Sequence, residues 1–135
     1  MTDREDTTPG VNQLAELRPA LLELHKTLLD WERAAYEREH GRQSSSDMLR
    51  LLLSDPQFEW LRGISALVVR IDEELAIDAS PPSEFEALID AVRTTIARRD
   101  LLSPFGKRYE AALQDSPDVV FAHRRVTEIL NRKEL

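Results

Sequence analysis

Cysteine is absent from the 135-residue chain. That excludes disulfide staples, thiolate zinc sites and cysteine nucleophiles, and it suits a reducing compartment, so the chain reads as cytoplasmic. Glycine is scarce, with four in all, and neither Gly-x-x-x-x-Gly-Lys nor Gly-x-Gly-x-x-Gly occurs, so phosphate-cradling loops are not expected. Gly-x-Ser-x-Gly and His-Glu-x-x-His are missing as well. No apolar run exceeds four residues, 66–69 being one, against the ~20 that a membrane-spanning helix needs. The opening MTDREDTTPGVN lacks the basic-then-apolar order of a secretory signal. Bases are outnumbered, 18 against 25 acids, for a net charge of -7. A field of that sign repels phosphate backbones and anionic lipid.

What remains is 41% apolar and 32% charged, the balance of a globular protein with a heavily solvated surface. The polar start, with Thr7, Thr8, Pro9 and Gly10, reads as a disordered tail over residues 1–10. Residues 11–135 read as one domain, long enough to bury a core. Apolar residues recur at steps of three and four, and no stretch alternates as a strand does, so the fold class is all-α. The spacing predicts a compact bundle of about six helices: four core helices and two short connecting ones.

The first helix is predicted over 12–40, with Leu14, Leu17, Leu21, Leu24, Leu28, Trp31 and Ala35 drawing one apolar stripe. Pro19 either starts its main part or kinks it, and Gly41 stops it. A short helix over 47–53 follows, with Ser46 as its cap. Asp55 and Pro56 then start a helix over 56–77 by the cap-then-proline signal. Ser83 and Glu86 resemble a capping box for a fourth helix. Ser103-Pro104 and Ser116-Pro117 start helices over 104–114 and 117–132. Gly63 inside a helix costs ~1 kcal/mol against alanine, which suggests that another helix approaches closely there.

Polar residues interrupt the apolar faces. Leu22, Leu29 and Tyr36 form a second stripe on the first helix, and His25 and Glu32 lie between the two stripes. Ser65 and Asp72 lie between stripes on the third helix, Arg99 follows Val92 and Ile96 on the fourth, and His123 stands beside Val119 and Val126 on the sixth. Buried alone, such charges cost several kcal/mol each, so they must be paired or exposed at an edge. They read as a polar network that fixes helix register, or as the walls of a small-ligand pocket. Glu37-Arg38-Glu39-His40 holds one Glu-x-x-His, half of a helical di-iron signature. Position 120, three before His123, is valine, and the second half is missing, so no metal and no cofactor are expected. Without a strained turn or an oxyanion hole, Ser65, Asp72 and a histidine do not make a triad, and no catalytic residue is assigned.

Charge is unevenly spread. Residues 93–133 hold nine bases and five acids, whereas 72–90 hold seven acids and no base. A basic face could meet nucleic acid, although the overall charge disfavours it. The same polarity suits self-association. Trp60 and Leu67 form a minor stripe off the main face of the third helix, Trp31 marks one edge of the first and Tyr36 ends its second stripe; these four are candidate interface residues. The reading that results is a non-enzymatic cytoplasmic bundle that works through protein contacts, most simply with a second copy of itself. A small-ligand or metal-binding bundle and a nucleic-acid-associated regulator are the alternatives.

Overall fold

The computed structural model describes residues 10–77 and 80–132. They form six helices: α1 Val11–His40, α2 Ser45–Ser54, α3 Arg62–Leu75, α4 Pro82–Val92, α5 Pro104–Asp115 and α6 Pro117–Asn131. No strand occurs among the described residues, and the all-α bundle is as the periodicity predicted. Of the expected tail, residues 1–9 lie outside the described ones.

α1 is the axis of the bundle and packs against α3, α4, α5 and α6. Its main stripe explains this: Leu14, Leu17, Leu21, Leu24 and Leu28 are fully buried. Gly10, left-handed at φ 90°, starts the helix by accepting from the Leu14 amide at 2.9 Å. A Cβ there would press on Phe85, so the α1 entry and α4 meet across a glycine. Pro19 stays inside one continuous helix. The amide it lacks would have bonded to Ala15; both residues are exposed, so the freed carbonyl faces water at little cost.

The proline-led starts resolve as follows. Ser103 and Ser116 cap α5 and α6, accepting from Gly106 and Val119. Asp55 caps as expected, but it starts a 3-10 segment, Pro56–Leu61, which runs on into α3. The α2 cap is Ser44, not Ser46, and accepts from the Asp47 amide at 3.1 Å. In a run of three serines the hydroxyl three residues before a free amide wins. The Ser83–Glu86 box does not form: α4 begins at Pro82, with Pro81 at the cap position, two residues ahead of Ser83, and no side-chain cap. α4 ends in a single π turn, Arg93–Ala97, so Arg99 follows the helix rather than lying on it.

α5 is more than a connector, because it sends Tyr109 and Ala112 into the core, both fully buried. Gly63 sits exposed, and a Cβ added to it would find no neighbour within 4 Å, so the expected close approach does not occur there. It occurs at Gly106, where a Cβ would land on the Asp100 carbonyl oxygen.

Candidate functional site

Glu32 is fully buried, and four donors meet its carboxylate. Trp60 Nε1 donates to Oε1 at 2.8 Å, and Gln57 Nε2 to Oε2 at 2.9 Å. Arg108 closes a two-pronged pair, Nε to Oε1 at 3.0 Å and Nη2 to Oε2 at 2.7 Å. Both oxygens of this α1 residue are thus saturated by the 3-10 segment and α5, which is the condition for holding a carboxylate inside a bundle. Arg108 is itself fixed by stacking, its guanidinium 4.4 Å from the Trp31 ring centroid. Trp31 donates to Asp115 at 2.7 Å and meets Trp60 edge-on at 6.4 Å. The shallow hollow over this junction is lined by Glu32, Ala35, Arg38, Glu39, Gln57 and Arg108. Its one buried acid has no lone pair left to offer a ligand.

The other inward candidates separate into different places. Asp72 does not face the core. It is exposed and paired with Arg18 at 2.6 Å, whose hydrogen bond holds its carboxyl below the usual range. Arg99 is half-buried against the Tyr109 ring at 4.5 Å, donates to the Ile96 carbonyl at 2.6 Å and pairs with Glu110. His123 Nδ1 shares a 2.8 Å hydrogen bond with the Tyr109 hydroxyl. Burial, and next the Arg99 charge, push its pKa down. Burial raises the Tyr109 phenol far above its ordinary value. These groups form a register lock between α4, α5 and α6, separate from the Glu32 junction. Of the di-iron half motif, Glu37 is taken by the Gln43 amide and Arg33, and His40 stacks on Tyr36. Among the described residues no three His, Cys, Asp or Glu side chains converge on a metal position.

Among the described residues, His25 and Ser65 share a hollow. It is apolar, holds about 280 Å³, and lies between α1, α2, the 3-10 segment and α3, with Leu49, Leu52, Leu53, Phe58, Leu61 and Arg62 completing its walls. Ser65 is turned back to the Arg62 carbonyl. No group among the described residues hydrogen-bonds the His25 ring, and burial lowers its pKa. His25 also borders a second hollow on the outer side of α1, with Pro19, Leu22, Glu23, Lys26 and Leu29. Glu23 and Lys26 in turn border a third, between α1 and α6, which includes Asp30, Asp118, Phe121 and Arg125. The three join into one strip across α1. Its rim shows Leu22 at 45%, Leu49 at 59%, Leu53 at 72% and Phe121 at 64% exposure.

The predicted interface residues fare differently. Leu67 is buried in the core and cannot serve. Trp31 and Trp60 are half-buried parts of the Glu32 junction, and Tyr36 packs on Phe58. Sequence reasoning missed Arg108 and Gln57 at the junction. It also missed the buried Gln13, which donates to the Ile129 carbonyl at 2.8 Å and ties α1 to the end of α6. Their signal was present only in part: Gln13 precedes Leu14 on the main stripe, but nothing local marks Arg108 as Glu32's partner.

Comparison with protein-family models, with curated proteins and with solved structures gave no match. The functional reading therefore rests on the geometry of the bundle.

Proposed function

We propose that this chain is a non-enzymatic, self-associating contact protein of the cytoplasm, and that its working surface is the strip across α1. One observation carries the reading: large apolar side chains stand exposed around a ready-made apolar hollow, on the one helix that organises the bundle. Contiguous exposed apolar surface of this kind marks an interaction face. A second copy is the simplest occupant because the chain's charge is itself polarised, seven acids and no base over 72–90 against nine bases and five acids over 93–133, which suits association of like chains. The polar candidates support the same reading from the other side, since Glu32, Arg99 and Asp72 are each engaged by a charged side chain of the same chain rather than held in reserve.

The basic C-terminal segment supports nucleic-acid binding less well. Arg93, Arg99, Arg108 and Arg132 are drawn into pairs with Asp90, Glu110, Glu32 and Glu16. The small-ligand alternative keeps one specific support, the His25 imidazole in the wall of an apolar hollow.

Sedimentation equilibrium across the micromolar range at neutral pH tests the self-association. The expected result is a reversible dimer that Leu53→Glu disperses while helicity and thermal midpoint stay as in the parent, because Leu53 is exposed in the single copy. A parent chain that stays monomeric throughout overturns the proposal.

A further inference from the structure

The hollow between α1, α2, the 3-10 segment and α3 is built within a single copy, so its walls decide what it can hold without help from a partner. Leu49, Leu52, Leu53, Phe58 and Leu61 make it an apolar cup, and no wall residue is acidic. In a chain of net charge -7 that is a local exception. Mostly apolar walls with a few placed polar groups are the usual form of a small-ligand site.

The polar wall residues fix the kind of head group. Arg62 donates from Nε to the Leu52 carbonyl at 3.1 Å and from Nη2 to the Asp55 carbonyl at 3.3 Å. Both acceptors are neutral, and among the described residues no carboxylate pairs with Arg62 and no acceptor meets its Nη1. The His25 ring has no hydrogen-bond partner among them either, and a neutral imidazole still carries one N–H. Ser65 gives its proton to the Arg62 carbonyl at 3.1 Å, so it adds no donor. The cup is therefore edged by a half-buried cation without a counter-ion and by a free ring donor. A carboxylate completes both, because guanidinium–carboxylate contacts are among the strongest hydrogen bonds a protein makes. An ammonium head would meet Arg62 as a like charge, and a bare hydrocarbon would cover the ring donor without satisfying it.

We infer that this hollow binds a small monocarboxylate with an apolar body, the head held by Arg62 and His25 and the body by the α2 leucines and Phe58. Size narrows the class. An apolar cavity of about 150 Å³ takes one benzene ring, so the hollow, at about 280 Å³, admits a body of about eight to ten carbon atoms. The site goes beyond the contact reading and does not rest on it; the two share a strip of surface but no premise.

The test uses the full chain at neutral pH and three probes with one body: octanoate, octanol and octylammonium. Calorimetric titration reads affinity, the His25 imidazole signals in nitrogen-correlated proton spectra read engagement of the ring, and sedimentation equilibrium reads assembly. The expected result is one octanoate per chain, shifting the His25 signals and not those of His40. Octanol should bind about tenfold or more weakly, the worth of a hydrogen bond to a charged group, and octylammonium more weakly still. Arg62→Gln, which keeps donors for the α2 carbonyls, should bring octanoate down to the level of octanol. His25→Phe, which keeps the bulk of the ring, should weaken octanoate about fivefold, as the loss of one hydrogen bond does. Circular dichroism confirms that each variant is folded, and the comparison of probes in the parent decides without any variant. Octanoate bound no tighter than octanol overturns the inference, since the hollow would then select an apolar body and no head. Absence of octanoate binding overturns it too; if that chain sediments as a dimer that Leu53→Glu disperses, the hollow belongs to a second copy and self-association stands. Octanoate bound with the expected preference by a chain that stays monomeric upholds this site and removes the self-association reading.

Discussion

Glu32 and Arg108 form a two-pronged pair on a fully buried carboxylate, and its value differs from that of a surface pair. Exposed ion pairs such as Lys26–Asp30 contribute little, because water and salt screen them. Glu32 has no exposure at all, so removing its partner strands a carboxylate among aromatic rings. Arg108→Ala is expected to cost about 3 kcal/mol by urea unfolding, the low end for a broken buried pair because the Arg108 head is part-exposed. The double change Glu32→Met with Arg108→Leu should recover most of that loss, since it removes the stranded charge along with the partner. A double variant as unstable as the single one would show that Gln57 and Trp60, not the ion pair, hold the junction. His25 and His123 set the pH response at this scale. Both have pKa values pushed down by burial, so the unfolded chain takes up their protons first as pH falls. Their contribution is complete above the ordinary histidine pKa of about 6.5 and is lost progressively below it, towards the lowered folded values. The thermal midpoint should therefore fall between neutral and mildly acidic pH, and His123→Phe should flatten that fall. An unchanged slope in that variant would assign the response elsewhere.

Elements obeyed local chemistry where the signal was unique and departed from it where the signal was degenerate. Asp55, Ser103 and Ser116 each stand directly before a proline and each caps. Three adjacent serines left the α2 cap open, and a double proline displaced the Ser83 box by fixing the backbone ahead of it. The two glycines in the first turns of α3 and α5 make a paired test. Gly63→Ala meets open space and should stabilise the protein by about 0.5–1 kcal/mol through helix propensity. Gly106→Ala drives a methyl into the backbone of Asp100 and should cost about 1–3 kcal/mol, as overpacking does. Thermal unfolding of both variants checks the pair of signs. Glycine's role could not be told from its position in a helix, because close approach belongs to whatever lies opposite, here a turn rather than another helix.

At the scale of the whole molecule, the bundle leaves one side of its central helix without cover. The main stripe of α1 is sealed by α3, α4, α5 and α6, whereas on the second stripe Leu22 stays exposed and Leu29 and Tyr36 are only half-buried. Association through that stripe links stability to concentration, because mass action favours any state that binds folded chains. The thermal midpoint of the parent should rise with protein concentration at neutral pH, and that of Leu53→Glu should not. A midpoint independent of concentration in both would separate the exposed strip from any dimer.

Helix content, most helix boundaries and the inward direction of Glu32 were legible in the chain, because they follow from spacing along a single helix: a residue seven from His25 and four from Leu28 must share their side. Three things were not legible, and each depends on neighbours in space rather than in sequence. Arg108, 76 residues from Glu32, read as part of a basic face until α5 was packed across α1. Asp72 read as an inward residue until α3 turned it to solvent and Arg18. Which of the two stripes of α1 would be covered depended on where the other helices came to rest, since burial is a property of two surfaces and a periodic pattern describes only one.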